Sequence, residues 1–222
     1  MNLAILIGRF PPGVVGGAEL QAGEWARRLA ERHGVAVITR KNAPGDAPVE
    51  VRDGFTVVRL PVARLPLVRT ALDVARIHGA VRALAPRPDR LLCFQTFLSG
   101  WAGVRIGRRL GIPAIVWVRG EDEYRPNSRT SRFSVPTWLA AEKVLVQTES
   151  NREHVLAAVR RFHPSAEPAI EAKLRVVPNG LALPDAREAA APGKGGILAV
   201  GRLIRVPPRS RTGRSPATGK AT

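Results

Sequence analysis

The sequence predicts a doubly wound α/β fold, in which one parallel sheet carries helices on both faces. Short apolar runs alternate along the chain with longer amphipathic stretches, as strands and helices do when they follow each other in turn. The runs are continuous in Val, Ile and Leu, which suits strands that are buried on both faces. Because strand, helix and strand follow in that order, the connections should be right-handed parallel crossovers. Together these observations indicate a Rossmann-like sheet.

The individual elements can be placed from these patterns. Six apolar runs have the length and composition of a buried strand, at residues 3–8, 35–39, 55–60, 90–94, 114–118 and 143–147. Helices are predicted at residues 18–32, 67–85, 97–110, 135–140 and 150–162. The second and third strands are joined without a helix, through a stretch that contains Pro44, Gly45 and Asp46. We therefore expect a local irregularity between those two strands.

The composition changes after Val177 and predicts four segments. Residues 1–180 should form one Rossmann-like domain, and residues 181–195 are rich in Ala and Pro, like a linker between domains. Residues 196–204 read as the first strand of an incomplete second α/β unit. Residues 205–222 contain four Arg, one Lys, three Pro and no acid, and Val206 is their one large apolar residue. Such a tail cannot bury enough apolar surface to offset its ordering entropy, so we expect it to be disordered.

The net charge of +17 raises the question of an anionic partner. Nucleic acid, an anionic membrane surface and a phosphorylated substrate all fit this charge. However, Arg is spread over the predicted helices in general, without aromatic interleaving and without the pattern of a zinc finger, homeodomain or RNA-recognition motif. A chain rich in Ala, Arg, Pro and Gly but poor in Lys also fits a coding bias toward G and C, which makes much of the charge a solvated surface. No specific nucleic acid is predicted as a partner.

The remaining single residues exclude several kinds of site. Cys93 is the one cysteine and lies in an apolar run, so it is expected to pack as a small hydrophobe. His33, His78, His154 and His163 lack metal-ligand spacing, and no metal site is predicted. The amino terminus has no basic segment, and its apolar stretch is too short for a signal peptide or a membrane span. We expect a cytoplasmic protein, with peripheral contact to the inner face of the membrane left open.

Paired glycines follow the first predicted strand. Gly16 and Gly17 stand where a helix should begin, and the free amides and dipole of a helix start favour a phosphate. The spacing is not that of a dinucleotide-binding loop, and Thr39 and Arg40 stand where an acidic residue would close the second strand. From these residues alone, a ligand site and a plain turn remain equally open.

Five segments in order give the chain a resemblance to the family 4 glycosyltransferases. They are Gly-Gly-Ala-Glu at 16–19, Ile-Val-Trp-Val-Arg-Gly-Glu-Asp at 115–122, Ala-Glu-Lys-Val-Leu-Val-Gln-Thr-Glu-Ser at 141–150, Val-Val-Pro-Asn-Gly at 176–180 and Ile-Leu-Ala-Val-Gly-Arg-Leu at 197–203. The resemblance covers residues 1 to about 204. Each segment is a weak signal alone, but five in the right order are hard to obtain by chance.

The resemblance implies an activity and its partners. Such enzymes have two Rossmann-like domains of the glycosyltransferase B type and transfer a sugar from a nucleotide-sugar to an acceptor with retention of configuration. No metal or other cofactor is expected, and the nucleotide-sugar is a substrate. The acceptor would be a carbohydrate or a lipid-linked molecule.

The resemblance also implies roles for particular residues. Gly16, Gly17 and Arg202 should lie near the donor diphosphate, because a preplaced cation and a helix start stabilise its growing charge. Arg119 stands where many members have a His, and Arg119 and Asp122 are the candidates for acceptor-side or sugar-side groups. A solvated loop remains equally open for them. Further residues that could face the cleft are Glu121, Glu149 and Asn179.

The resemblance stops abruptly after Leu203. The family has Lys-Gly within a few residues and, much later, two glutamates eight positions apart, whereas here Ile204 runs into a basic, Pro-rich stretch. This break indicates a truncated gene or a shifted reading frame, and we expect the 222-residue chain to be inactive. The alternative is a noncatalytic α/β domain that binds an acceptor or a partner.

Overall fold

The computed structural model describes residues 1–12, 16–62, 69–119 and 127–180. The strands are β1 Asn2–Leu6, β2 Gly34–Arg40, β3 Val49–Arg52, β4 Phe55–Leu60, β5 Arg90–Phe94, β6 Ala114–Trp117, β7 Lys143–Val146 and β8 Leu174–Val176. The helices are α1 Gly17–Ala30, α2 Arg69–Ala83, α3 Trp101–Leu110, α4 Ser128–Ala140, α5 Glu149–Phe162 and α6 Glu167–Glu171. All described residues belong to one unit, which spans Met1–Leu181.

The strands form one sheet in the order β3-β4-β2-β1-β5-β6-β7-β8. Every pairing among the described strands is parallel except that of β3 with β4. The predicted doubly wound parallel fold is therefore confirmed, and so are its six strands. The chain first builds outward from β1 through β2 to β4, then crosses to β5 on the other side of β1.

The irregularity between the second and third predicted strands is a β-hairpin. β3 pairs antiparallel with β4, so that Arg52 faces Phe55 across the turn residues Asp53 and Gly54. Both turn residues have positive φ, 49° and 81°. This is the turn that an Asp-Gly pair favours between two strands, and the sequence analysis missed it.

Two predicted helices begin at other residues than expected. The helix predicted at 135–140 begins at Ser128, because Asn127 and Thr130 form a reciprocal capping box there. The helix predicted at 97–110 begins at Trp101, because Phe97 and Leu98 have non-helical backbone angles. Strand β8 and helix α6 were not predicted. Both are short, at 3 and 5 residues, which is below the length at which periodicity is informative.

Hydrophobic clusters cover both faces of the sheet. One contains Phe10, Phe94 and Trp117 and receives Ala22 and Ala26 of α1. The other contains Leu91, Cys93 and Trp138 and receives residues from α2 to α6. Cys93 is fully buried, as predicted, and burial raises the pKa of its thiol to about 12. The sheet is thus packed on both faces, and the loops that follow its strands begin at their carboxyl ends.

Two features of the described residues concern membranes and metals. None of the described helices combines the length and the apolar character that a membrane crossing requires. In the same part of the chain, no group of three or more His, Cys, Asp or Glu side chains could hold a metal ion.

Candidate functional site

The candidate site lies where the strand order reverses. β1 is flanked by β2 and β5, and the chain leaves these strands in opposite directions across the sheet. In open α/β sheets this reversal opens a crevice at the carboxyl ends of the strands, and ligands bind there. The residues that follow β1, β2 and β5, beginning with Gly8, Lys41 and Gln95, are therefore the ones to examine.

Helix α1 begins at this edge with the predicted glycines. Gly16 is the extended residue before the helix, and no side chain caps the first turn. Amides of a first helical turn have no partner within the helix, so they can bind an anion. Among the described residues, a β-carbon added at Gly17 would meet no atom within 4 Å, so this side of the helix start is open. The structure thus places Gly16 and Gly17 at the crevice.

The carboxylate of Glu19 lies against Gly16. A β-carbon at Gly16 would collide with Oε2 of Glu19, so this position needs a glycine while Glu19 keeps its orientation. A carboxylate near a helix start is stabilised by the positive end of the helix dipole. A phosphate that binds the same amides would therefore displace the Glu19 side chain.

The loop after β1 is anchored by two neighbouring strands. Phe10 is buried and packs edge-on against Phe55, with ring centroids 6.0 Å apart. Arg59 of β4 donates from Nη2 to the carbonyl of Pro11 at 3.0 Å, and Asn42 donates from Nδ2 to the carbonyl of Phe10 at 2.8 Å. The sequence analysis missed Arg59, which is 3% exposed. Nothing in the sequence marks Arg59 as buried, because an Arg in a strand of alternating residues is expected to face solvent.

Gln95 holds a strained backbone conformation at the end of β5. Its φ of 85° and ψ of 145° fall in a region that side chains disfavour, at a cost of about 1–3 kcal/mol. Two hydrogen bonds fix it there, from its amide to the carbonyl of Trp117 and from the amide of Gly100 to its carbonyl, both at 2.9 Å. The Gln95 side chain lies beside Gly8. Strain of this kind collects at ligand sites, so Gln95 joins the candidate residues that sequence reasoning did not find.

A basic cleft opens beside these residues, with a volume of about 580 Å³. The charged and polar side chains that line it are Arg9, Glu19, Arg40, Lys41, Asn42, Arg69 and Gln95. They come from the ends of β1, β2 and β5 and from the starts of α1 and α2. The crevice at the strand reversal is therefore polar and positively charged, and we call it the basic cleft.

Arg40 is fixed in the basic cleft by a carboxylate behind it. Its Nη2 lies 2.6 Å from Oδ2 of Asp73, whose side chain is 4% exposed. Arg69 approaches the same oxygen at 3.9 Å. A buried carboxylate with a charged hydrogen bond orients a guanidinium strongly, so Arg40 is preplaced for a ligand.

The structure brings together two of the predicted site residues, Arg119 and Asn179. Arg119 follows β6, is 5% exposed, and donates from Nη2 to Oδ1 of Asn179 at 3.0 Å. Its guanidinium lies 4.6 Å from the ring centre of Trp117 and 5.3 Å from that of Phe94. This packing makes Arg119 a residue that positions the loops after β6 and β8. Its role toward a substrate stays a prediction.

The other predicted site residues lie elsewhere or outside the described chain. Glu149 begins α5, is 64% exposed, and pairs with Arg152 at 2.7 Å, away from the basic cleft. Glu121, Asp122 and Arg202 lie outside the described residues, and so do the predicted linker at 181–195, the predicted first strand of a second unit at 196–204 and the predicted tail at 205–222.

An apolar groove lies near the basic cleft. It has a volume of about 260 Å³ and is lined by Phe97, Leu98, Trp101 and Phe133, with Thr70 at its edge. Thr70 follows Arg69 of the basic cleft directly in α2, so the two surfaces adjoin at the start of that helix. Phe133 is 56% exposed, which is unusual for a large aromatic side chain.

Comparison with known sequences identifies relatives of this domain. A family model described as a glycosyl transferase 4-like domain matches residues 16–180, which is more than half of the chain. No curated protein sequence matches the chain.

Solved structures share the fold at low sequence identity. Sucrose-phosphate synthase from Thermosynechococcus elongatus matches with a TM-score of 0.61 and 16% identity, over 80% of this chain and 47% of that one. HepE of Anabaena, solved with UDP and glucose, matches with a TM-score of 0.56 and 16% identity, over 82% of this chain and 45% of that one. The UDP-GlcNAc 2-epimerase of Methanocaldococcus jannaschii matches with a TM-score of 0.54 and 16% identity, over 81% and 46%. The chain spans just under half the length of each, and these likenesses show the fold alone.

Proposed function

The chain belongs to the family of glycosyl transferase 4-like domains, and from this premise we propose that it is the acceptor-side domain of a sugar-transferring enzyme. The donor is a nucleotide-sugar, and the sugar passes to a carbohydrate or a lipid-linked acceptor with retention of its anomeric configuration. The observation that carries the proposal is the juxtaposition of an open helix start at Gly17 with the basic cleft at the strand reversal.

The helix start suits the diphosphate of the donor. Sugar transfer breaks the bond between the anomeric carbon and the diphosphate, so negative charge grows on the departing phosphate oxygens. Backbone amides and a helix dipole that already point at this position stabilise the charge without reorganising. Gly17 leaves room for the phosphate to approach the backbone closely. The proposed donor site uses the amides at the start of α1, and no metal ion is proposed there.

The acceptor is proposed to bind at the basic cleft and the adjoining groove. The polar cleft offers hydrogen-bonding groups from Gln95 and charged groups from Arg40 and Lys41. The groove offers apolar surface to a lipid-linked acceptor, and the exposed ring of Phe133 could contact a membrane surface.

A domain of this kind is expected to bind a nucleotide weakly by itself. The amides proposed to bind the donor lie at a helix start that is open to solvent, where electrostatic stabilisation is weak. We therefore propose that the 222-residue chain binds donors poorly and does not transfer sugar. Measurable transfer by the purified chain would contradict that part of the proposal, and an inverted product would contradict retention.

The test of the donor site is a calorimetric titration with UDP and other nucleoside diphosphates. The variant Gly17→Ala adds a methyl group where no atom lies within 4 Å, so the fold should be unchanged. The added β-carbon would hold a phosphate away from the amides, and the affinity should fall about tenfold, the effect of losing about 1.4 kcal/mol. Gly79→Ala, also in open space but within α2, is the matched control and should bind as the parent does. Equal affinities in all three proteins would contradict the proposed donor site.

A noncatalytic binding domain is the second candidate. It is favoured by the Glu19 carboxylate, which occupies the position against Gly16 that a phosphate would share. A domain of this type would bind the acceptor at the cleft without any response to nucleoside diphosphates. The same titration separates the two functions.

A further inference from the structure

The charges of the basic cleft are not balanced within the described structure. Arg9, Arg40, Lys41 and Arg69 line it with Glu19, and Asp73 lies behind Arg40. Four cations thus face the carboxylates of Glu19 and Asp73, and Asp46 lies near enough to Lys41 to interact with its charge, which leaves a smaller excess of positive charge. Among the described residues, neither Arg9 nor Lys41 takes part in an ion pair. Bringing like charges together is unfavourable unless an anion joins them.

Buried polar atoms at the base of the same region also lack partners. Arg40 lines both the cleft and a small adjoining cavity, and Thr39, which is 2% exposed, lines that cavity. Within the described residues, Oγ1 of Thr39 and Nε of Arg40 are buried and have no hydrogen-bond partner. Buried donors are nearly always satisfied, so the Nε of Arg40 can still donate to a ligand in the cleft.

We propose that the basic cleft binds a phosphate group carried by the acceptor. This inference deepens the proposed function and rests on it, since it assigns the chemical class of the acceptor. The guanidinium of Arg40 is held in place by Asp73, and Lys41 and Arg69 can close on the phosphate from either side. The volume of about 580 Å³ accommodates a sugar phosphate or the headgroup of a phospholipid. Both ligands would present a phosphate group to the cleft.

This phosphate site is separate from the one proposed for the donor. Arg40 and Lys41 end β2, and Arg69 begins α2, whereas the donor amides belong to the start of α1. Glu19 lies against Gly16 and also lines the cleft, so a carboxylate stands at the border of the two sites. The donor phosphate would meet the amides of α1, and the acceptor phosphate would meet the cations of the cleft.

The test compares glucose 6-phosphate with glucose by calorimetry on the 222-residue chain. The phosphate should provide the affinity, so glucose should bind at least tenfold more weakly. The double variant Lys41→Gln and Arg69→Gln should lose about tenfold or more in affinity, because each charged hydrogen bond to a phosphate is strong. The control is the double variant Arg32→Gln and Arg82→Gln. It removes the same net charge from two exposed positions, one in the turn after α1 and one in α2. If both double variants bind alike, long-range charge alone explains the binding and the inference is overturned.

A second arm distinguishes the two sources of the phosphate. Vesicles of phosphatidylcholine with and without phosphatidic acid are sedimented with the parent chain and both double variants. In one outcome, the double variant Lys41→Gln and Arg69→Gln loses the vesicle binding that the parent and the control keep, and glucose 6-phosphate does not bind. This result assigns the site to a lipid headgroup. Binding of glucose 6-phosphate alone assigns it to a soluble sugar phosphate. Binding of neither ligand overturns the inference.

The same experiments distinguish a failure of this inference from a failure of the proposed function. A UDP titration on the same proteins reports the donor site, where Lys41 and Arg69 should have little effect. If UDP binds and no phosphate ligand does, the inference fails and the proposed function stands. If the phosphate ligand binds and no nucleoside diphosphate does, the transferase proposal fails. Should the double variant not fold, Arg9→Gln removes an exposed cation of the cleft and replaces it in the same comparison.

Discussion

Arg119 and Asn179 are joined by a hydrogen bond of 3.0 Å that ties the loop after β6 to the loop after β8. They are 60 positions apart in the chain. The guanidinium of Arg119 is buried over the rings of Trp117 and Phe94, so its charge is held by aromatic faces as well as by the amide oxygen. Two residues chosen as site candidates for separate reasons thus form one structural unit.

The variant Arg119→Lys should destabilise the domain. Lysine cannot reproduce the planar stacking over Trp117 together with the hydrogen bond to Asn179, and its compact charge is harder to bury. We expect the free energy of unfolding in urea to fall by about 1–3 kcal/mol. Asn179→Ala removes only an exposed partner and should have a smaller effect, of about 1 kcal/mol. A change below about 0.5 kcal/mol for Arg119→Lys would be that of a surface residue and would contradict this reading.

Much of the fold followed from the sequence because burial on both faces leaves continuous apolar runs. The runs that became β1, β2, β4, β5, β6 and β7 are of this kind, and their order with the helices fixed the parallel topology. The edge strand β3 was missed because its residues are half exposed and read as a loop. The Asp53-Gly54 turn was the available signal.

The sequence predicted residues of the site only where paired glycines or a position in a loop marked them. Gly16 and Gly17 were found because a strand-to-helix turn with paired glycines is visible in a sequence. Arg40 and Arg69 were not, because among so many arginines nothing distinguishes those that converge in space. The strain at Gln95 arises from tertiary contacts with Trp117 and Gly100, which no local pattern encodes.

Helices α3 and α2 each offer a glycine substitution, and the two effects on stability should have opposite signs. A β-carbon at Gly103 would collide with Sγ of Cys93 and lie 3.3 Å from Cδ1 of Leu6. Gly103→Ala should therefore destabilise the domain by about 1–3 kcal/mol. Gly79→Ala, in an exposed part of α2 with no atom nearby, should stabilise it by about 0.5–1 kcal/mol.

A second substitution isolates the cause of the effect at Gly103. Adding Cys93→Ala to Gly103→Ala removes the sulfur, so the two changes should be coupled and the double variant should recover part of the lost stability. Simple additivity of the two effects would show that the collision with Cys93 is not the cause.

The strained backbone at Gln95 can be tested by comparing glycine with alanine at that position. Glycine adopts φ of 85° and ψ of 145° without a steric penalty, whereas alanine does not. Gln95→Gly should be more stable than Gln95→Ala by about 1 kcal/mol in urea unfolding. Val51 is an exposed position of the edge strand β3, where the backbone has ordinary strand geometry. At this position the alanine variant should be more stable than the glycine variant. The same order at both positions would contradict strain at Gln95.

Helix α1 should contribute a pH-dependent stability through Glu24. Hydrogen bonds from Arg27 and then Arg28 lower the pKa of Glu24 from 4.5 to about 2. Because the pKa is lower in the folded state, the stabilisation is present above pH 4.5 and is lost as the pH falls toward 2. The difference in urea midpoint between the parent and Glu24→Gln should shrink over this range. A difference that stays constant with pH would show that Glu24 acts through packing and not through its charge.

The central claim is that a nucleoside diphosphate binds at the open start of α1, and nuclear magnetic resonance tests it most directly. A ¹⁵N-labelled chain is titrated with UDP up to about 10 mM, the range in which an open half-site with millimolar affinity would bind. We expect saturable shifts of the amides of Gly8, Gly16, Gly17 and Glu19, and their loss in Gly17→Ala. Saturable shifts confined to the opposite edge of the sheet, around Ile112 and Ala114, or no shifts at the start of α1 at all, would contradict the claim.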